Sequence, residues 1–238
     1  MTPAASRLSS VLSAKKAVLF DLFHTLTPLE SSWSDRRPMT HEMLHVSKEA
    51  WNDQLMIHSR DRLAGEKTDA FEIIAGMARA IDPTISDAVI RAATENRIAR
   101  FAAALTHISA ETRQVIATLR QRGLQIGLIS NADVTEVAGW AQCPIADLFD
   151  ATVFSCRVGW VKPEPEIYRH CLQELKLRPS EVIFVGDGGS DELAGAKALG
   201  IATVMISGII REIWPDKIAE RAAQADFQIE HLSELIAG

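Results

Sequence analysis

Ala17-Val-Leu-Phe-Asp-Leu-Phe-His-Thr25 is the stretch that decides the fold. Four apolar residues run unbroken into Asp21. A run that is apolar at every position is buried on both faces, as the strands of a parallel sheet are. Similar runs recur at Leu124–Ser130, Ala151–Ser155, Val182–Gly186 and Ile201–Ile206. Helix-period segments separate them. Ser109–Arg122 opens on a capping serine and closes at Gly123, Glu164–Lys176 starts behind Pro163, and Ser190–Leu199 ends at Gly200. Strand and helix alternating in this way predict an α/β fold built on an open, doubly wound parallel sheet. Ligands of such sheets sit at the carboxyl ends of the strands, so each polar residue that closes a strand is a candidate.

Between Thr27 and Thr106 the rhythm stops, and only helical patterning remains, over Pro38–His58, Asp69–Ile81 and Ser86–Leu105. About 75 residues without a strand are too many for a crossover connection. They predict a helical cap placed over the strand ends. The expected division is a core of residues 1–29 and 107–238 with a cap of residues 30–106. Trp33, Arg36, Arg37 and Trp51 lie in this cap and are assigned no role.

The 238 residues are 47% hydrophobic and 24% charged, with a net charge of −6. This excludes disordered and fibrous classes. The acidic balance argues against a nucleic-acid or anionic-membrane partner, both of which call for the opposite sign. No run approaches the 18 or so apolar residues of a membrane span. Met1–Lys16 holds no apolar signal-peptide core, and Cys143, Cys156 and Cys171 match no metal or redox spacing. The expectation is a cytoplasmic protein with reduced thiols. Oligomeric state leaves no trace in the sequence.

Polar residues close the strands in a fixed order. They are Asp21, then Ser130 with Asn131, then Lys162 in Trp160-Val-Lys-Pro163, then Asp187 and Asp191 in Gly186-Asp-Gly-Gly-Ser-Asp191. Taken singly, each has an ordinary use as a helix cap, a turn residue or a surface charge. Taken in order, they suit one chemistry: a carboxylate nucleophile, a hydroxyl and an amide to hold substrate oxygens, a lysine to neutralise charge, and carboxylates for a hard cation.

In these motifs the sequence resembles the haloacid-dehalogenase-like hydrolase superfamily over nearly its whole length, including the tail Ala225–Leu235. The resemblance implies a Rossmann-like core with a helical cap inserted after the first motif. It makes Asp21 the nucleophile, with Ser130, Asn131 and Lys162 as catalytic partners. Thr25, Ser130, Asn131 and Lys162 would bind substrate. Asp21, the backbone carbonyl of Phe23, Asp187 and Asp191 would bind Mg2+. The substrate implied is a small anionic, phosphorylated molecule.

The sequence departs from the family at Phe23, where phosphatases carry a second aspartate as general acid and base. Haloacid dehalogenases also have an aromatic residue there, because a halide leaves without a proton. Gly186–Asp191, in contrast, has the metal-binding form of phosphatases. Magnesium-dependent phosphoryl hydrolysis is therefore the expected activity. The alternatives are carbon–halogen hydrolysis and a catalytically weak member that binds a phosphorylated ligand. His24, where the family usually has glycine, is a candidate replacement acid. His41-Glu-Met-Leu-His45 matches the zinc-protease pattern on what reads as a continuing helix, and is taken as coincidence.

Overall fold

The computed structural model describes residues 3–28 and 37–237, with side chains from Arg7 onward. Trp33, Arg36 and the expected core–cap boundary at residue 29 lie outside the described residues. The strands are β1 (Ala17–Phe20), β2 (Gln125–Ser130), β3 (Ala151–Phe154), β4 (Val182–Gly186), β5 (Ala202–Ile206) and β6 (Phe227–Ile229). They form one parallel sheet in the order β3-β2-β1-β4-β5-β6. The order reverses beside β1, so the ends of β1, β2 and β4 surround the crevice where such sheets bind ligands.

Helices α1 (Pro3–Ser13), α2 (Thr40–Met43), α3 (Lys48–Ile57), α4 (Ser59–Leu63), α5 (Ala70–Ile81), α6 (Asp87–Thr106) and α7 (Ala110–Gln121) precede β2. Then follow α8 (Val134–Val137), α9 (Ser155–Val158), α10 (Pro165–Leu175), α11 (Glu192–Ala198), α12 (Gly208–Ile213) and α13 (Ile218–Ala222). Alternate strand residues face opposite layers. Val18, Phe20, Ile126 and Leu128 pack with Leu8 and Leu12 of α1 and with Val115, Ile116 and Leu119 of α7. Leu19, Ile129, Val153 and Phe184 pack with α10 and α11 on the other side. The expected caps are present: Ser109 accepts from the Thr112 N–H, Ser86 from Val89 and Asp69 from Glu72.

The stretch after β1 is helical and has its own apolar centre, built from Leu44, Trp51, Ile73, Ile74, Met77, Ile90 and Ala93. A separate cluster of this kind is what a division into core and cap requires.

The expected helix over Pro38–His58 is two helices. It stops after Met43, His45 adopts φ +56°, and Ser47 caps the start of α3. His41 and His45 therefore do not share a helical face, which removes the geometry a His-Glu-x-x-His zinc site needs. The tail Ala225–Leu235 forms β6 and then a short 3₁₀ turn at Leu232–Leu235. All three cysteines are free and buried.

Candidate active site

Asp21 leaves β1 directly into the crevice and is 6% exposed. Its N–H donates to the Val185 carbonyl of β4, which anchors it between two strands. One carboxylate oxygen, Oδ1, accepts from Lys162 Nζ at 2.5 Å, and Oδ2 accepts from the Thr25 hydroxyl at 3.0 Å. The same ammonium donates to Glu192 Oε2, also at 2.5 Å. Burial disfavours charge on Lys162, but the two carboxylates more than offset it and hold its pKa above the ordinary lysine range. Burial raises the Asp21 pKa, and the Asp187 charge adds to this while Lys162 opposes it. Glu192 is raised further, by burial and by the Asp21 charge.

Lys162 is held by Asn131. The Asn131 amide accepts from the Lys162 N–H at 2.7 Å and donates to the Lys162 carbonyl at 3.0 Å. That amide is occupied as a clamp joining the end of β2 to the lysine loop. Ser130 is different. It ends β2, is 1% exposed, and its Oγ has no hydrogen-bond partner among the described residues. A buried hydroxyl of this kind is rare and points to a group that arrives with the substrate. The β1–β2 register sets Phe20 opposite Leu128, so Asp21 and Ser130 close neighbouring strands.

Asp187 ends β4. Its Oδ1 accepts from the Gly189 N–H and its Oδ2 from Arg221 Nη1, both at 2.8 Å. Asp191 is exposed, sits at φ +50°, and accepts from Gln224 at 3.0 Å. Two successive left-handed residues, Ser190 and Asp191, turn the loop so that Glu192 enters the site in its place. Gly186 leaves room for it, since a Cβ there would lie 2.2 Å from Glu192 Oε1. Asp21, Asp187 and Glu192 each present an oxygen within 4.8 Å of the others. This buried, all-oxygen donor set, with more carboxylate than lysine charge, fits a hard divalent cation such as Mg2+.

A cavity of about 710 Å³ lies between the ends of β1 and β2 and the helices that follow β1. Phe23, His24 and Asn131 line its floor, and Trp51, Phe101, Arg100 and Trp214 line its walls. The Phe23 ring meets Phe101 of α6 edge-on at 5.4 Å. His24 is at φ +60°, with its ring edge-on to Trp214 at 5.1 Å and Nδ1 3.9 Å from Asp187 Oδ2. Arg37, considered with the cap, is exposed.

Buried charge joins the helices that follow β1 to the turn after β2. Arg62 of α4 donates to Asp133 Oδ2 at 2.9 Å, and Arg97 of α6 donates to Glu136 at 2.6 Å and to the Thr135 hydroxyl at 2.9 Å. Burial raises the Asp133 carboxyl, but the two guanidiniums more than offset it, so its pKa falls below the usual range. Glu136 moves the other way, raised by burial and by the neighbouring Asp133 charge.

Glu192, Arg221, Arg62 and Arg97 are absent from the residues singled out in the sequence. For Glu192 a clue existed, in the consecutive acids Asp191-Glu192 after a glycine-ended strand.

This arrangement of strand-end carboxylates and lysine has a known setting. Over residues 15–200 the sequence matches the family profile described as haloacid dehalogenase-like hydrolase. The chain belongs to the haloacid dehalogenase-like hydrolases. It is 34% identical over 98 residues to bifunctional epoxide hydrolase 2 of Rattus norvegicus, covering 39% of this chain and 18% of that protein. It is 30% identical over 129 residues to ribulose-1,5-bisphosphate 5-phosphatase of Halopiger xanaduensis, covering 52% of this chain and 54% of that one. The chain thus matches about half of the phosphatase's length and less than a fifth of the epoxide hydrolase's. The L-2-haloacid dehalogenase of Xanthobacter autotrophicus shares the fold, with a TM-score of 0.62 at 19% identity over 93% of this chain and 96% of that chain. No helix among the described residues is long and apolar enough to cross a membrane.

Proposed function

We propose that this chain hydrolyses a small phosphorylated metabolite through an aspartyl-phosphate intermediate, with Mg2+ bound at the carboxylates. One observation carries the reading: a buried Asp21–Lys162 pair with the unpartnered Ser130 hydroxyl on the adjoining strand end. Asp21 attacks phosphorus and displaces the leaving oxygen, and water then cleaves the acyl phosphate and regenerates the carboxylate. The Ser130 hydroxyl donates to a phosphoryl oxygen. Lys162 neutralises charge as it builds, and Asn131 keeps the lysine loop in place. Thr25 orients the nucleophile through its bond to Oδ2. Asp21, the Phe23 carbonyl and Asp187 remain the proposed ligands. Glu192 is the better-placed third carboxylate, because Asp191 faces solvent. When bound, the metal would offset the negative charge of both carboxylates and phosphate. The proposed setting is the cytoplasm.

A panel of phosphorylated metabolites and 2-haloacids, assayed with and without chelator, tests this reading. Turnover of a phosphate ester that stops on chelation is the expected result, and Asp187→Ala should match the chelated enzyme. Chelator-indifferent release of halide would favour the dehalogenase reading instead, which draws its support from Phe23. Inertness toward both classes would favour the weak, ligand-binding reading.

Phe23 carries a further expectation. Its ring faces Phe101 across the cavity floor and has no proton to give a departing alkoxide. Rates should therefore fall steeply as leaving-group pKa rises from aryl to alkyl phosphates. Phe23→Asp should raise alkyl-phosphate turnover by about 10²-fold, the lower end of what a positioned acid supplies. A flat dependence would assign proton donation to another group. His24, on the same cavity floor, is the first residue to test, and His24→Ala should then make the slope steep.

A further inference from the structure

The carboxylate of Asp187 is already engaged by a cation from this chain. Arg221, on α13, donates through Nη1 to Asp187 Oδ2 at 2.8 Å and to the Asp187 carbonyl at 3.1 Å. The contact is built in. Gly188 stands at φ +83°, and a Cβ there would lie 2.8 Å from Arg221 Cβ, so only glycine lets the arginine stem pass. The guanidinium lies 5.4 Å over the Trp214 ring, and Trp214 forms a wall of the cavity. The Arg221 side chain is 16% exposed and the Asp187 side chain 7%, so solvent screens the pair weakly.

We propose that Arg221 is a resident counter-cation that competes with the divalent cation for Asp187. This rests on the magnesium reading proposed above. Oδ1 of Asp187 accepts from the Gly189 amide and Oδ2 from Arg221, so a metal on Asp187 would share the carboxylate with the guanidinium. A guanidinium and Mg2+ on one carboxylate would be like charges within a few ångströms in a poorly screened site. Arg221 must therefore withdraw when the metal enters. In the free site it keeps Asp187 from facing the charges of Asp21 and Glu192 unneutralised. Its withdrawal also frees the face of Trp214, so metal entry and the shape of the cavity wall are linked. Arg221 is a positioning residue here, acting through Asp187.

The test is Mg2+ titration by calorimetry on the full chain, without substrate. Arg221→Gln removes the competing charge and should tighten Mg2+ by about tenfold or more, the scale of one charge-assisted hydrogen bond. Arg221→Lys keeps a cation without the fork geometry and should fall between the two. In the wild type, Mg2+ should change tryptophan emission, and Trp214→Phe should remove most of that change. Tighter binding by Arg221→Gln supports the proposal, as does binding by that variant alone. Measurable Mg2+ affinity that is equal or weaker in Arg221→Gln overturns it while leaving the magnesium reading intact. An absence of Mg2+ binding in every variant overturns both.

Discussion

Asp21→Asn should lower turnover of every substrate by about 10⁴-fold or more, because an amide cannot open the covalent route proposed for the site. The fold should survive. The substitution is nearly isosteric, its oxygen still accepts from Lys162, and its amide can donate to the Thr25 hydroxyl. Glu192 remains as the second partner of the ammonium, so the lysine is not left buried and alone. Single-turnover assays paired with a thermal melt separate the two effects. A variant that melts near the wild type and turns over within tenfold of it would rule out Asp21 as nucleophile.

The second large effect lies at Lys162, and it falls on stability as well as chemistry. The ammonium is almost wholly buried between Asp21 and Glu192. Lys162→Met keeps most of the stem and deletes the charge, leaving two carboxylates facing each other out of water. Breaking a buried pair in this way costs about 3–5 kcal/mol, a large share of the 5–15 kcal/mol that stabilises an ordinary domain. In the wild type, the raised lysine pKa contributes stability at all pH below the unfolded lysine value, and that stability is lost only as pH rises beyond it. The variant should behave differently. Its carboxylates, already raised by burial and mutual charge, have folded pKa values above their unfolded values of about 4, so the native state binds the extra proton. Urea melts of Lys162→Met should therefore gain stability as pH falls through that window. A variant as stable as the wild type near neutral pH, with no recovery on acidification, would contradict the pairing.

The sheet was legible because its strands are buried on both faces, and continuous apolar runs such as Val18–Phe20 or Ile183–Val185 have few other readings. Asp21, Ser130 and Asp187 were legible for a related reason, since a strand end fixes where the next side chain points; Lys162 instead lies in the loop beyond α9, not at the end of β3 as its place in the motif order suggests. Past the strand ends that certainty fades. Glu192 enters the site because Ser190 and Asp191 adopt left-handed backbone, a choice no periodicity encodes. The break at His45 has the same origin. Arg97 was hidden by a different effect. On α6, Thr94, Arg97 and Arg100 occupy buried positions, so the helix shows polar residues on the side it turns inward. An amphipathic pattern read from sequence assigns such residues to solvent.

The ties from Arg62 and Arg97 to Asp133 and Glu136 divide the labour of the cap. Drawing α6 away would strand two carboxylates in the turn that leads out of β2, the same strand that presents Ser130. Arg62 and Arg97 therefore pin α4 and α6 beside the cavity, and its rim is completed by Met39, Thr40, His41, Trp51, Ile213 and Trp214. The rim carries neither the nucleophile nor its lysine. Selectivity can thus be rewritten at Met39, Thr40 and His41, by drift or by design, without retuning the reaction below, whereas Trp214 touches both His24 and Arg221.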